Sequence, residues 1–354
     1  MTDKVRSAGL DIIRSAAIAL VLLTHMFAYT DVLSESVGSP LWHIFNIIHY
    51  ASRICVPLFL LLTGFLQNRR KPDKRHYSSI IPVLVSYYAV CFAYIIACGI
   101  LGGGITLGGI FDGIMKTLNF TVGYSWYVEM YICLFLLIPF LNIMFNSLDG
   151  KKQLLLIFSL AGITLLPPLL NGFLIGDTRL DILPDFLENM YVVTYYFIGS
   201  YIAKHKPAPK KAVCAAVFVL TLVCEDVICL VCSKGGYAWW LFNSHSSLSH
   251  TIAAVSLFLM FYNVNLKNRV LCAMFKEISV CSFEMYLISF FTDSLFYSVL
   301  GMPPVKTVVL NFVSAYVLAR VFRLAAVPVS KRILKAVNKQ TAAENTAPKV
   351  PAVK

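Results

Sequence analysis

Residues 10–30 read Leu10-Asp11-Ile12-Ile13-Arg14-Ser15-Ala16-Ala17-Ile18-Ala19-Leu20-Val21-Leu22-Leu23-Thr24-His25-Met26-Phe27-Ala28-Tyr29-Thr30. A helix that crosses a bilayer needs roughly 20 mostly apolar residues. This run supplies them, with only Asp11, Arg14 and His25 as ionisable interruptions. Working outward, similar apolar runs recur at 43–67, 80–101, 125–148, 154–174, 189–203, 212–233, 248–266, 277–300 and 305–327. The pattern predicts an all-α, polytopic integral membrane protein of about ten transmembrane helices. Composition agrees: 58% of the 354 residues are hydrophobic and 14% charged, with a mean hydropathy of +0.74. A soluble domain usually carries about 25% charged residues. The net charge of +12 does not imply a nucleic-acid partner. The basic residues sit in short loops between apolar runs, not along one polar face.

Those basic residues orient the chain, because cytoplasmic loops hold the excess of Lys and Arg. The even-numbered connections carry Arg69, Arg70, Lys71, Lys74 and Arg75; Lys151 and Lys152; Lys204, Lys206, Lys210 and Lys211; and Lys267, Arg269 and Lys276. The odd-numbered ones hold only Lys116, Arg179, Lys234 and Lys306. Both termini are basic as well, so both are expected in the cytoplasm. The first run is not read as a removable signal peptide, since Arg14 and His25 interrupt it and no small-x-small site follows. Residues 1–338 are expected to form one transmembrane domain, and 339–354, rich in Ala, Pro and Lys, a disordered cytoplasmic tail. The ten Cys lie mostly within apolar runs and read as small buried hydrophobes, so no metal site is expected. Duplicated halves of the kind many transporters show are not evident.

Ionisable groups inside a bilayer are costly and are paired or functional. Arg14 and His25 are eleven residues apart, about three helical turns, so they share a face roughly 16 Å apart along the axis. Asp11 lies one turn from Arg14 on that face. Arg14 snorkelling to the headgroups beside Asp11, with His25 bonded to a neighbouring helix, is one reading. The other is catalytic, since a buried imidazole is the usual general base near neutral pH. In the second span His49 and Arg53 stand at i and i+4; Arg53 must pair, for instance with Glu129 or Asp226, or bind an anion. Trp126 and Tyr127 open the fourth span, with Glu129 slightly deeper. Glu225, Asp226 and Glu284 are further intramembrane acids. The 69–75 loop fits topology determination or, alternatively, phosphate binding.

Five stretches together resemble the membrane acyltransferase-3 family, in order and over nearly the whole chain. Leu10 to Ile18, continued to His25, is similar to its opening Arg-x10-His signature. Val56-Pro57-Leu58-Phe59-Leu60-Leu61-Leu62-Thr63-Gly64-Phe65-Leu66 resembles its second-helix motif, with Thr63 where Ser is usual. Ser125-Trp126-Tyr127-Val128 resembles its Trp-aromatic motif, and Tyr195-Tyr196-Phe197-Ile198-Gly199-Ser200-Tyr201 its aromatic segment ending in Gly. Ser282-Phe283-Glu284-Met285-Tyr286-Leu287-Ile288-Ser289 resembles a late motif in which His commonly stands at the position of Ser289.

The resemblance implies a membrane-bound O-acyltransferase of the bacterial cytoplasmic membrane. It would move an acyl group, acetyl or succinyl, from cytoplasmic acyl-coenzyme A to a hydroxyl of an extracytoplasmic or lipid-linked carbohydrate. His25 and Arg14 are the catalytic positions carried by the signature. No bound cofactor is implied, since acyl-coenzyme A is a substrate. Placement alone adds the rest. Asp11 would orient Arg14, and Arg53 would stabilise the oxyanion. Trp126, Tyr127 and Glu129 would meet the sugar, while Arg69, Arg70 and Lys71 would hold coenzyme phosphates. The rival readings are a transporter or flippase of a lipid-linked sugar or small anion, and a sensor whose machinery has decayed, which Ser289 keeps open.

Overall fold

The computed structural model describes residues 6–101, 106–118, 125–171, 173, 189–233, 237–238 and 240–346. Among the described residues the chain is helical throughout, without strands. The helices are α1 Ala8–Tyr29, α2 Pro40–Arg53, α3 Cys55–Gln67, α4 Lys74–Ser78, α5 Ile81–Leu101, α6 Leu107–Leu118, α7 Trp126–Ser147, α8 Gly150–Thr164, α9 Leu166–Asn171, α10 Tyr191–His205, α11 Lys211–Cys232, α12 Leu248–Phe261, α13 Arg269–Asp293 and α14 Pro304–Thr346. Several of their starts follow from capping chemistry. Ser39 accepts from the Trp42 N–H, with Pro40 at the first helical position. Asp149 caps α8 through Lys152, and Asn268 caps α13 through Val270 and Leu271.

Every expected span coincides with a helix, and among the described residues seven spans are long and apolar enough to cross a membrane. Three fall short. Helices α10 and α12 have 15 and 14 residues, and α13 carries Arg269, Lys276, Glu277, Glu284 and Asp293 along 25. The expected second span is broken in two at Ile54. Pro57 is the cause: it has no N–H to give the Arg53 carbonyl one turn back. Residues 107–118 form a helix packed against α5; Gly102-Gly103-Gly104 fall outside the described residues. Helix α14 runs to Thr346, into the stretch expected to be disordered; residues 347–354 are outside the described ones.

Helix α1 is the central post, packed on α2, α3, α13 and α14. Ile13, Ala17, Ile18 and Leu22 are fully buried. Outer helices leave large apolar side chains exposed, among them Leu155, Phe158, Val309 and Leu324, as helices facing lipid tails do. The tightest crossing joins α3 and α10. A Cβ on Gly64 would lie 2.0 Å from the Tyr196 carbonyl oxygen, and one on Gly199 2.1 Å from that of Leu61. The two backbones therefore touch at reciprocal glycines, the small-residue packing that lets membrane helices approach closely.

Candidate functional site

Beside α1 runs a cavity of about 540 Å³, within the size range of small-molecule sites. Toward the N-terminal end of α1 it is polar, lined by Arg6, Arg14, Gln67, Ser279, Glu284 and Arg323. Val21, Val56, Phe59, Leu62 and Phe283 make an apolar middle. Toward the other end stand His25, Arg53, Trp126, Tyr127 and His245. Arg14 and His25, predicted to share a face, both open into this one space.

His25 is held by a residue from the far end of the chain. Its Nδ1–H donates to Asp293 Oδ2 at 2.6 Å. The other carboxylate oxygen of Asp293 accepts a short bond from Asn311 Nδ2. Asp293 is fully buried, while the imidazole is 28% exposed. A buried carboxylate needs such donors. In return it fixes the tautomer that leaves a basic lone pair on Nε2. Ser289, at the family's common His position, stands beside the ring, its Oγ 3.4 Å from Nδ1. Its hydroxyl donates to the Tyr286 carbonyl at 2.8 Å.

Asp11 does not orient Arg14. Its carboxylate takes two bonds, at 2.7 and 2.6 Å, from Arg6, which also reaches Ser279 at 3.2 Å. That pairing raises the Arg6 pKa above its ordinary value. Arg6 precedes the helix, so it can fold back onto Asp11. Among the described residues no carboxylate forms an ion pair with Arg14, which leaves its guanidinium available to an anion in the cavity. Arg53 pairs with neither Glu129 nor Asp226; it donates a short bond to Asn243 Oδ1. Asp226 instead serves His43, at 2.6 Å, and Asn46, at 2.8 Å.

Of the expected carbohydrate contacts, Trp126 and Tyr127 line the cavity and Glu129 does not; Glu129 accepts from Ser125 at 3.3 Å. Arg69, Arg70 and Lys71 are exposed and outside the lining. Asn142 ties their loop down by donating to the Gln67 and Arg70 carbonyls. Sequence reasoning missed Asp293, Asn311, Arg323 and His245. Asp293 was findable, because an acid in the ninth span at the depth of His25 requires a partner. Arg323 pairs with Glu284 at 2.8 Å, which the acid alone also foretold. His245 sits in a connection with no motif around it.

A family model described as an acyltransferase domain matches residues 7–326. Neither the curated proteins nor the solved structures searched contain a significant match to the chain.

Proposed function

The chain belongs to the acyltransferase-3 family, and from that premise we propose that it transfers an acyl group from cytoplasmic acyl-coenzyme A to a hydroxyl of an extracytoplasmic or lipid-linked carbohydrate. The observation that carries this reading is the His25–Asp293 pair opening into a cavity whose other end holds Arg14. In this reading the protein has about ten spans and sits in a bacterial cytoplasmic membrane with both termini inside, and the positive-charge bias of the loops supports a cytoplasmic Arg14 end. Arg14 would hold a phosphate of the donor, with Arg69, Arg70 and Lys71 at the entrance. The thin pantetheine arm would run past Val21, Phe59 and Leu62 toward His25.

His25 Nε2 then takes the proton of the acceptor hydroxyl as its oxygen attacks the thioester carbonyl carbon. The developing oxyanion is stabilised by Arg53. The carbon–sulfur bond breaks, and the imidazolium returns its proton to the departing thiolate. The products are an ester and free coenzyme A. Asp293 keeps the imidazole in the working tautomer and steadies its charged form. The acyltransferase match over residues 7–326 favours the enzyme over the flippase.

The test is thiol release. Protein reconstituted into vesicles with acetyl- or succinyl-coenzyme A should liberate coenzyme A only when carbohydrate acceptor is present, and the ester should appear on the glycan. His25→Gln should lose about 10²–10⁴-fold of this rate. Glycan moved across the vesicle membrane with no thiol released would turn the assignment over to transport.

A further inference from the structure

A second imidazole faces the cavity. His245 lies in the connection between α11 and α12 and lines the same space as His25. Its Nδ1–H donates to the Arg53 carbonyl at 2.9 Å. That acceptor is open only because Pro57 interrupts the helix there. The rest of the turn is pinned as firmly. The His245 carbonyl accepts from the Tyr195 hydroxyl at 2.8 Å. Arg53 donates to Asn243, and His250 Nδ1–H donates to the Ser244 carbonyl at 2.9 Å. Just ahead, Phe242 has φ +53°, a left-handed conformation costly for a residue with a bulky side chain. Its ring is buried edge-on against Tyr50, with centroids 5.7 Å apart.

This much fixation leaves one atom unused. With Nδ1 donating, Nε2 carries the lone pair, and no described residue bonds to it. The ring lies nearly parallel to the Trp126 indole, 22° between planes and 6.0 Å between centroids. Desolvation by burial, reinforced by the Arg53 charge, pushes the His245 pKa down to about 4, so the ring stays a neutral acceptor at neutral pH. The contrast with His25 divides the labour. A carboxylate stands behind His25, whereas a neutral carbonyl stands behind His245.

We propose that His245 is a substrate-binding residue: its Nε2 accepts a hydrogen bond from a hydroxyl of the carbohydrate acceptor, whose apolar face rests on Trp126. A sugar fits both halves of that site, since it offers hydroxyl donors at its rim and C–H groups on its faces. The assignment rests on the acyl-transfer reading above.

Two replacements separate this role from a structural one. In His245→Asn the side-chain amide still reaches the Arg53 carbonyl but ends short of the cavity. In His245→Gln an amide oxygen reaches the position of Nε2 while the bond to Arg53 is lost. Initial rates are measured in vesicles with acetyl- or succinyl-coenzyme A and surface carbohydrate of the source cells, freed of esters by mild alkali. The expected result is an acceptor KM raised about tenfold in His245→Asn, the loss of roughly one hydrogen bond. The KM for the acyl donor should not change, and His245→Gln should keep most acceptor affinity. The reverse ranking, or equal loss in two folded variants, overturns the proposal and leaves acyl transfer standing. A wild-type protein that transfers nothing to carbohydrate removes both.

Discussion

Replacing Asp293 by Asn would exchange one carboxylate oxygen for an amide nitrogen, and the consequence for His25 is specific. An amide facing Nδ1 as a donor forces the imidazole proton onto Nε2, the atom that must be empty for His25 to act as the proposed base. The expected outcome is a kcat lower by about 10²–10⁴-fold, with little change in either KM. Single-turnover transfer at saturating substrates checks it; a near-normal rate would mean that Asp293 only fills space. Arg14→Gln should do the opposite, raising the KM for acyl-coenzyme A more than it lowers kcat, measurable by donor titration. These residues differ in how legible they were. Arg14 and His25 could be paired by helical arithmetic because both lie on one uninterrupted helix. The partner of Asp11 could not, since Arg6 lies before the helix begins, where no periodicity constrains the chain. His25 and Asp293 are joined across 268 residues, a distance at which only the cost of a lone buried acid gives a hint.

Helices meet here through backbone contact as well as side chains. Gly64 and Gly199 each sit against a carbonyl of the other helix at a distance no Cβ can share, so Gly199→Ala must push α3 from α10. Overpacking of this kind costs about 1–3 kcal/mol. The variant should show a lower unfolding temperature in detergent, while Gly162→Ala, with nothing within 4 Å, should be neutral or slightly stabilising. Equal stability of the two variants would refute the close crossing. Both glycines stand in the stretches that resembled the family, yet sequence offers no reason for them until the crossing is seen. The break at Ile54 is the converse case. Pro57 was in plain view, but an apolar run of spanning length reads as one helix, and a freed carbonyl has meaning only once His245 is found beside it.

Across the whole molecule, apolar length carried the architecture. A helix occupies each of the ten expected runs, and those that fail the span criteria do so for physical reasons. Helix α10 is short and enclosed, with Tyr195, Tyr196 and Phe197 fully buried, so protein surrounds much of its length. Helix α13 is polar because one side of it lines the cavity and its Asp293 supports His25. Orientation is checked by reporters: an enzyme active only outside the cytoplasm should work when fused after Gly104 or Gly236 and stay silent after Pro72 or Pro207. An inverted pattern would put the Arg14 end of the cavity outside and deny it a cytoplasmic donor. The bond from His25 to Asp293 also sets a schedule. At about 5–20 residues per second, the ribosome needs on the order of tens of seconds after making α1 before it makes α13 and α14. During that interval Arg6 and Asp11 can already satisfy each other, being neighbours in the chain, but His25 has neither its carboxylate nor Asn311 behind it. The nascent protein can therefore settle its first helix in the bilayer early, while His25 gains its carboxylate and Asn311 only when the last helices arrive.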